Sequence, residues 1–293
     1  MLIPNPGRTD VVNAFSLAKG MEPFPGYRLN QFLGKGGWGS VWKATNPEGK
    51  DCALKFLPCE HQQGAAQEIR ALQAIRQLHH ANLITIEQIW SIPRYLVIAM
   101  ELAEGSLLDL LDVYYAEFNQ PIMAEHLCSY LRQAATALDF LNARQHLVND
   151  QRVAFRHCDV KPSNLLVLDM NVKVADFSLS VSATSPMCNY RKVGTLNYCA
   201  PEIFQGWLSD KSDQYSLAIT YCHLRTGRLP FPDPPRNLTG PYVRPAPDLN
   251  NLSPAEQSII ARALAPVPQD RFRTCTELIE HLEKANVETT ACV

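Results

Sequence analysis

The sequence predicts an α+β protein of two lobes, a small β-rich lobe with one main helix followed by a larger α-helical lobe. Three observations carry this. From Tyr27 to Met100, short strand-like runs are punctuated by Gly and Pro, with a single helical pattern among them. After Glu104, Gly105 and Ser106 the apolar spacing becomes that of amphipathic helices. The 293 residues, 46% hydrophobic and 19% charged, suffice to bury a sizeable core. A cleft between two such lobes is a natural ligand site.

Residues 1–26 are Pro-rich and aperiodic and read as a flexible or loosely docked N-terminal arm. The first lobe spans about 27–101. "SVWKAT" and "CALKFL" are strands, with Pro47, Glu48 and Gly49 as the turn between them. "AAQEIRALQAIRQLHH" has helical spacing, with Ile69, Leu72 and Ile75 on one face. "YLVIAMEL" is a buried strand. The second lobe spans about 106–283. It contains three amphipathic helices, "MAEHLCSYLRQAATALDFLNAR", "SDQYSLAITYCHLRTG" and "PAEQSIIARALA", and is otherwise helical with long loops. Residues 228–254 are proline-rich and form a loop. Residues 284–293 form a C-terminal tail.

Composition excludes several classes. A net charge of −2 gives no footprint for nucleic acid or an anionic membrane. The most apolar stretch, 83–100, is broken by Glu87, Gln88, Pro93 and Arg94, so it is no membrane span. Nine cysteines without C-x-x-C spacing, and an N-terminus lacking the apolar run of a signal peptide, point to reduced thiols in the cytoplasm.

The chemistry-bearing residues fall in three motifs. "LGKGGWGSVWKA" places Gly34, Gly36 and Gly39 between strands, in G-x-G-x-x-G spacing followed by Val41. Glycines let backbone amides approach phosphate oxygens. The same spacing opens dinucleotide-binding units, but there a helix follows and here a strand does. An ordinary glycine-rich hairpin stays open at this point. Lys55 stands inside an apolar strand, where its ammonium needs a counter-charge, and Glu68 on the next helix offers one. A solvated strand lysine and a solvated helix glutamate are the alternative. "FRHCDVKPSN" then supplies Asp159, Lys161 and Asn164, and Asp176 follows in "VADFSLS".

With "GTLNYCAPE", "SDQYSL" and "QDRF" also in place, the chain from about Tyr27 to Leu282 resembles the eukaryotic-like protein Ser/Thr kinases, in the style of their bacterial members. The motifs stand in the family's order, which joint chance does not produce. The resemblance implies a bilobal kinase fold with ATP and Mg²⁺ as cofactors, Mn²⁺ being the alternative ion. Gly34, Gly36 and Gly39 would cover the ATP phosphates, and Lys55 would bind them while paired with Glu68. Val41, Ala53 and Leu166 would enclose the adenine, with Met100 behind it and the backbone of Glu101 to Ala103 bonding the purine. Asp159 would take the proton of the acceptor hydroxyl, Lys161 would balance charge on the transferred phosphate, and Asn164 and Asp176 would hold the metal. Leu72, Ile86, His157 and Phe177 match the family's stacked regulatory side chains, anchored by Asp213. Glu202 and Arg271 match a structural ion pair.

Two positions depart from the family. Cys158 replaces the Arg of H-R-D, and Ser178 replaces the Gly of D-F-G. The lost Arg ordinarily meets a phosphorylated activation-loop residue, so catalysis is expected not to require that phosphate. A redox role for Cys158 is the lesser alternative. Ser178 is strained only if its position needs a positive φ. Ser180, Ser182, Thr184 and Ser185 are candidate autophosphorylation sites, modified in trans. Lys161 two residues after Asp159, together with Thr195, implies protein substrates with Ser/Thr acceptors. The alternatives are a pseudokinase that serves as an ATP-binding scaffold and a small-molecule kinase of the aminoglycoside-phosphotransferase type. The signal that controls the enzyme is expected to come from another molecule or from expression level.

Overall fold

The computed structural model describes residues 17–36, 39–58, 69, 71–92, 94–190, 194–235 and 242–291. Strand-forming residues build the first lobe as a five-stranded antiparallel sheet in the order β1-β2-β3-β5-β4. These strands are β1 (Arg28–Gly36), β2 (Gly39–Thr45), β3 (Asp51–Pro58), β4 (Ile86–Ile92) and β5 (Tyr95–Glu101). The β2–β3 turn closes because the Asn46 side chain accepts from the amides of Glu48 and Lys50, while Gly49 takes φ 78°. Central β3 is buried from Cys52 to Leu57, which explains its unbroken apolar run around Lys55.

The sheet has two covered faces. One holds Leu57, Leu96 and Ile98 against Leu72 and Ile75 of α1 (71–76) and is continuous with the core of the second lobe. The other holds Leu29, Trp42, Leu54 and Val97, and residues of the N-terminal arm lie against it. There Phe24 is buried and stacks on Trp90 at 4.2 Å, and the amide of Leu29 donates to the Met21 carbonyl.

The second lobe is built on helices. Ser106 and Asp109 form a capping box that starts α2 (Leu107–Phe118). Next, α3 (Ala124–Asn142) buries Leu127, Leu131, Leu138 and Leu141. The short α4 (Pro201–Phe204) precedes α5 (Ser212–Thr226), which is buried on nearly every side and forms the centre of the lobe. The last two helices are α6 (Pro254–Ala263) and α7 (Cys275–Ala291), the latter continuing through most of the stretch that the sequence sets apart as a tail.

The lobe also contains short strands that apolar periodicity did not signal: β6 (Gly105–Ser106), β7 (His146–Val148), β8 (Gln151–Arg156), β9 (Leu165–Leu168), β10 (Asn171–Val174), β11 (Val181–Ala183), β12 (Met187–Asn189) and β13 (Trp207–Ser209). Each has two to six residues, too few for a period to show. They hold the loops of the site. β9 and β10 form a hairpin that carries the segment after Asp159, and β12 pairs with β13 to fasten the segment after Asp176. Asn82 ties the lobes together: its Nδ2 donates to Gln133 Oε1 at 3.0 Å and to the Val172 carbonyl at 2.9 Å.

Candidate active site

Between the lobes lies a cleft of about 730 Å³. Its roof is the β1–β2 hairpin, where Gly34 pairs with Val41 and Gly36 with Gly39. Gly39 has φ 144°, and a Cβ there would strike the Phe56 carbonyl, so no other residue fits. Ala53, paired with Met100, contributes to the cleft wall, and Leu166 lines it from the second lobe. Glu101, Leu102 and Ala103 form the link between lobes along its edge. The Glu101 carboxylate is engaged by Lys173 Nζ at 2.7 Å.

Of the expected nucleotide-binding residues, Gly34, Gly39, Val41, Ala53, Lys55, Met100, Glu101, Ala103, Leu166 and Asp176 all line this cleft, as do Lys161 and Asn164. Gly36 sits at the hairpin tip. Glu68, the expected partner of Lys55, lies outside the described residues.

The floor is built from α5 upward. Buried Asp213 accepts the amide of His157 at 2.8 Å and that of Cys158 at 2.9 Å. His157 is fully buried, with Nε2 2.9 Å from the Ala175 carbonyl and its ring 5.2 Å from that of Phe177. Cys158 takes φ 67°, a left-handed backbone that costs a non-glycine residue roughly 1–2 kcal/mol. The two bonds to Asp213 offset that cost. Its side chain is buried, and burial pushes the thiol pKa well up, which removes the redox reading.

These anchors fix Asp159, 4% exposed, beneath Lys161 and Asn164, which line the cleft while Asp159 itself does not. Its Oδ2 accepts from Lys161 Nζ at 2.8 Å and Asn164 Nδ2 at 3.0 Å. Its Oδ1 accepts from the Thr195 amide at 3.0 Å and the Thr195 hydroxyl at 2.9 Å. Burial raises the pKa of Asp159, but the Lys161 charge and the hydrogen bonds from Lys161 and Thr195 outweigh it and leave the carboxyl below its ordinary value. Lys161 Nζ also donates to Thr195 Oγ1 at 2.6 Å. A carboxylate, a cation and a hydroxyl are thus locked together.

Asp176 stands opposite, with Lys55 Nζ 2.6 Å from its Oδ2. Burial again works against ionisation and is outweighed by the Lys55 charge and by hydrogen bonds from Lys55 and Ser178. The left-handed residue of this turn is Asp176, at φ 67°, and Ser178 has no positive φ. Ser178 is therefore accommodated without glycine-like strain, and its hydroxyl caps the Asp176 carboxylate.

The side-chain oxygens of Asp176 and Asn164 suit a hard cation such as Mg²⁺. Among the described residues no cluster of three or more His, Cys, Asp or Glu forms a self-contained metal site. A cation held here would share its ligands with a bound phosphate, as Mg²⁺ usually does.

Further along, Ser180 is buried and donates to the His157 carbonyl, so it is withdrawn as a phosphorylation site. Ser182, Thr184 and Ser185 are exposed. Several cleft residues escaped the sequence reading. Leu33 carried no signal. Asp109 did, because S-x-x-D before an apolar run is a capping-box pattern. Tyr190 was missed too: it is buried among Leu179, Cys158 and Cys199 in the core. Glu202 and Arg271 form the expected buried ion pair, at 2.7 Å.

A β-roofed cleft over this arrangement defines a protein kinase. The model of the protein kinase domain matches residues 27–282, and the chain belongs to that family. Among its relatives, the serine/threonine-protein kinase PknF of Mycobacterium tuberculosis is 28% identical over 285 residues, covering 91% of this chain and 57% of the relative. Pkn1 of Myxococcus xanthus is 29% identical, covering 93% of this chain and 40% of the relative. The SNF1-like protein kinase ssp2 of Schizosaccharomyces pombe is 30% identical, covering 84% and 42%. The chain thus spans about half the length of these curated relatives or less.

Proposed function

We propose that this chain is an ATP-dependent protein kinase that phosphorylates Ser and Thr hydroxyls of protein substrates. The observation that carries the reading is the Asp159 carboxylate, hydrogen-bonded by Lys161, Asn164 and Thr195 directly beside a cleft that Lys161, Asn164, Lys55 and Asp176 line. Bound Mg-ATP supplies the phosphoryl group. Asp159 orients the acceptor hydroxyl and takes its proton as the new oxygen–phosphorus bond forms and the bond from the γ-phosphorus to the departing ADP breaks. Lys161 balances the charge that develops on the transferred oxygens. Lys55 would hold the phosphates, and Asn164 and Asp176 would hold Mg²⁺ or Mn²⁺. Val41, Ala53 and Leu166 pack on the adenine.

The kinase domain spans about 27–283 in this reading. Free thiols, most of them buried, support a reducing cytoplasm. Among the described residues no helix is long and apolar enough to cross a membrane. The pseudokinase reading has no support in the site, because each described catalytic position keeps its functional group.

Activation-loop phosphorylation is not required in this reading. Where the family's Arg would meet a phosphate, buried Cys158 neighbours the buried ring of Tyr190, so the segment is held by packing. Exposed Ser182, Thr184 and Ser185 are acceptors for autophosphorylation in trans.

The test is transfer from labelled ATP with Mg²⁺ to casein and to the chain itself, beside Asp159→Asn and Asp176→Asn. Removing the base lowers transfer by about 10²–10⁴-fold while ATP binding persists. Wild-type protein that binds ATP and phosphorylates no protein refutes the proposal.

A further inference from the structure

We infer that Arg244 is a positioning residue that sets the platform on which the acceptor polypeptide lies beside Asp159. This rests on the kinase reading above and assigns it a residue that no motif marks. Arg244 comes from the proline-rich stretch before α6 and is 9% exposed. Its Nε donates to the Cys199 carbonyl at 3.0 Å, and its Nη2 donates to the carbonyls of Leu196 at 2.7 Å and Asn197 at 3.0 Å. The guanidinium lies between two rings, 4.7 Å from the centroid of Phe231 and 5.3 Å from that of Phe204. Nη1 is buried with no partner among the described residues.

Among the described residues no carboxylate is paired with it. Burying a cation on these terms is unfavourable. A position that needed only packing would carry an apolar side chain. What the guanidinium adds is a rigid fork that reaches three carbonyls of one tight turn, which an ammonium does not match.

That turn, Leu196–Tyr198, follows directly on Thr195, whose amide and hydroxyl both bond Asp159. An acceptor hydroxyl must come within hydrogen-bond reach of Asp159. The polypeptide carrying it therefore passes over the part-exposed Leu196 and Asn197. Asn197 is held from the other side by Asp233 at 2.9 Å, and the Tyr198 hydroxyl meets His223 Nδ1 at 2.7 Å. Arg244 is the link that fixes the backbone between them. Arg244 is not among the described residues that line the nucleotide cleft. Loss of the fork should thus misplace the acceptor and leave ATP in register.

The experiment compares wild type, Arg244→Ala and Arg244→Lys in casein phosphorylation, with casein and ATP varied separately. A misplacement near 1 Å costs about 10²-fold, so kcat/KM for casein should fall by roughly that factor in Arg244→Ala. Arg244→Lys, which keeps the charge and part of the bonding, should lie between. The KM for ATP should move by less than about twofold in both. A casein kcat/KM within about twofold of wild type, or KM values for ATP and casein that rise together, overturns the inference. If Arg244→Ala does not fold, Arg244→Lys carries the same comparison. Wild type that hydrolyses ATP but phosphorylates neither casein nor itself overturns the kinase reading and the inference together. An active wild type with indifferent variants overturns the inference alone.

Discussion

Replacing Arg271 by Ala should lower the melting temperature of this protein by about 6–12 °C. The magnitude follows from the site. Arg271 Nη1 and Nη2 reach Glu202 Oε1 and Oε2 at 2.9 and 2.7 Å, and the two side chains are 0% and 6% exposed. Arg271 Nε also donates to the Ala265 carbonyl at 2.9 Å. Removing one partner of a buried pair leaves the other charge desolvated and costs about 3–5 kcal/mol. Glu202 keeps the hydroxyls of Ser209 and Ser212, each at 2.8 Å, so the cost falls near the lower end, about 3 kcal/mol. At this chain length each kcal/mol is worth about 2–4 °C. Differential scanning calorimetry of Arg271→Ala reads the shift. A second arm separates the pair from the loss of bulk. Arg271→Met combined with Glu202→Leu leaves no stranded charge and should melt above either single variant. A shift below about 2 °C for Arg271→Ala, or a double variant that is simply the sum of the singles, refutes the reasoning. Because Glu202 follows the Leu196–Tyr198 turn by four residues, the melt of this pair should also loosen the acceptor platform.

Further outcomes test the same physics. Tyr190→Phe should keep phosphate transfer within about threefold, since its hydroxyl makes only a 3.5 Å contact with the Leu179 carbonyl and a weak hydrogen bond with the buried Cys158 thiol. Tyr190→Ala should remove about 3–5 kcal/mol of packing from the segment and expose it to limited proteolysis. Phosphatase treatment of wild type should leave activity intact, and a large loss restored by rephosphorylation would show that a phosphate, not Tyr190, orders the segment. Acid should destabilise the fold through Asp159, Asp176, Glu202 and Glu256, all held below their ordinary pKa against the opposing effect of burial. Their folded pKa values lie below the unfolded ones, so the unfolded chain binds more protons as the pH falls. The stabilisation is complete above the unfolded carboxylate range, near pH 4, and is lost as pH drops through the folded values. Melting temperatures measured from pH 7 to pH 3 should be steady in this respect above about pH 5 and then fall steeply, with a shallower fall in Glu202→Gln. A slope that Glu202→Gln leaves unchanged would remove that residue from the set.

By itself the sequence determined the two-lobed class and named most of the residues that the fold brings together at the proposed site. Both rest on local signals: the apolar run of β3 around Lys55, the helical period of α3, and the fixed spacing of Asp159, Lys161 and Asn164 within one loop. Short motifs stay legible because their chemistry needs particular side chains a few residues apart. The tertiary structure decided the rest. The second-lobe strands are too short for a period to appear, and they acquire their identity from pairing partners tens of residues away. Cys158 and Ser178 looked like matching departures in sequence. In the fold the left-handed strain sits on Cys158 and Asp176, while Ser178 becomes a cap on a carboxylate. Thr195 reaches Asp159 across 36 positions, and Arg244 reaches Asn197 across 47. Contacts of that range are made by packing around α5, and no local pattern in the chain encodes where a long side chain will end.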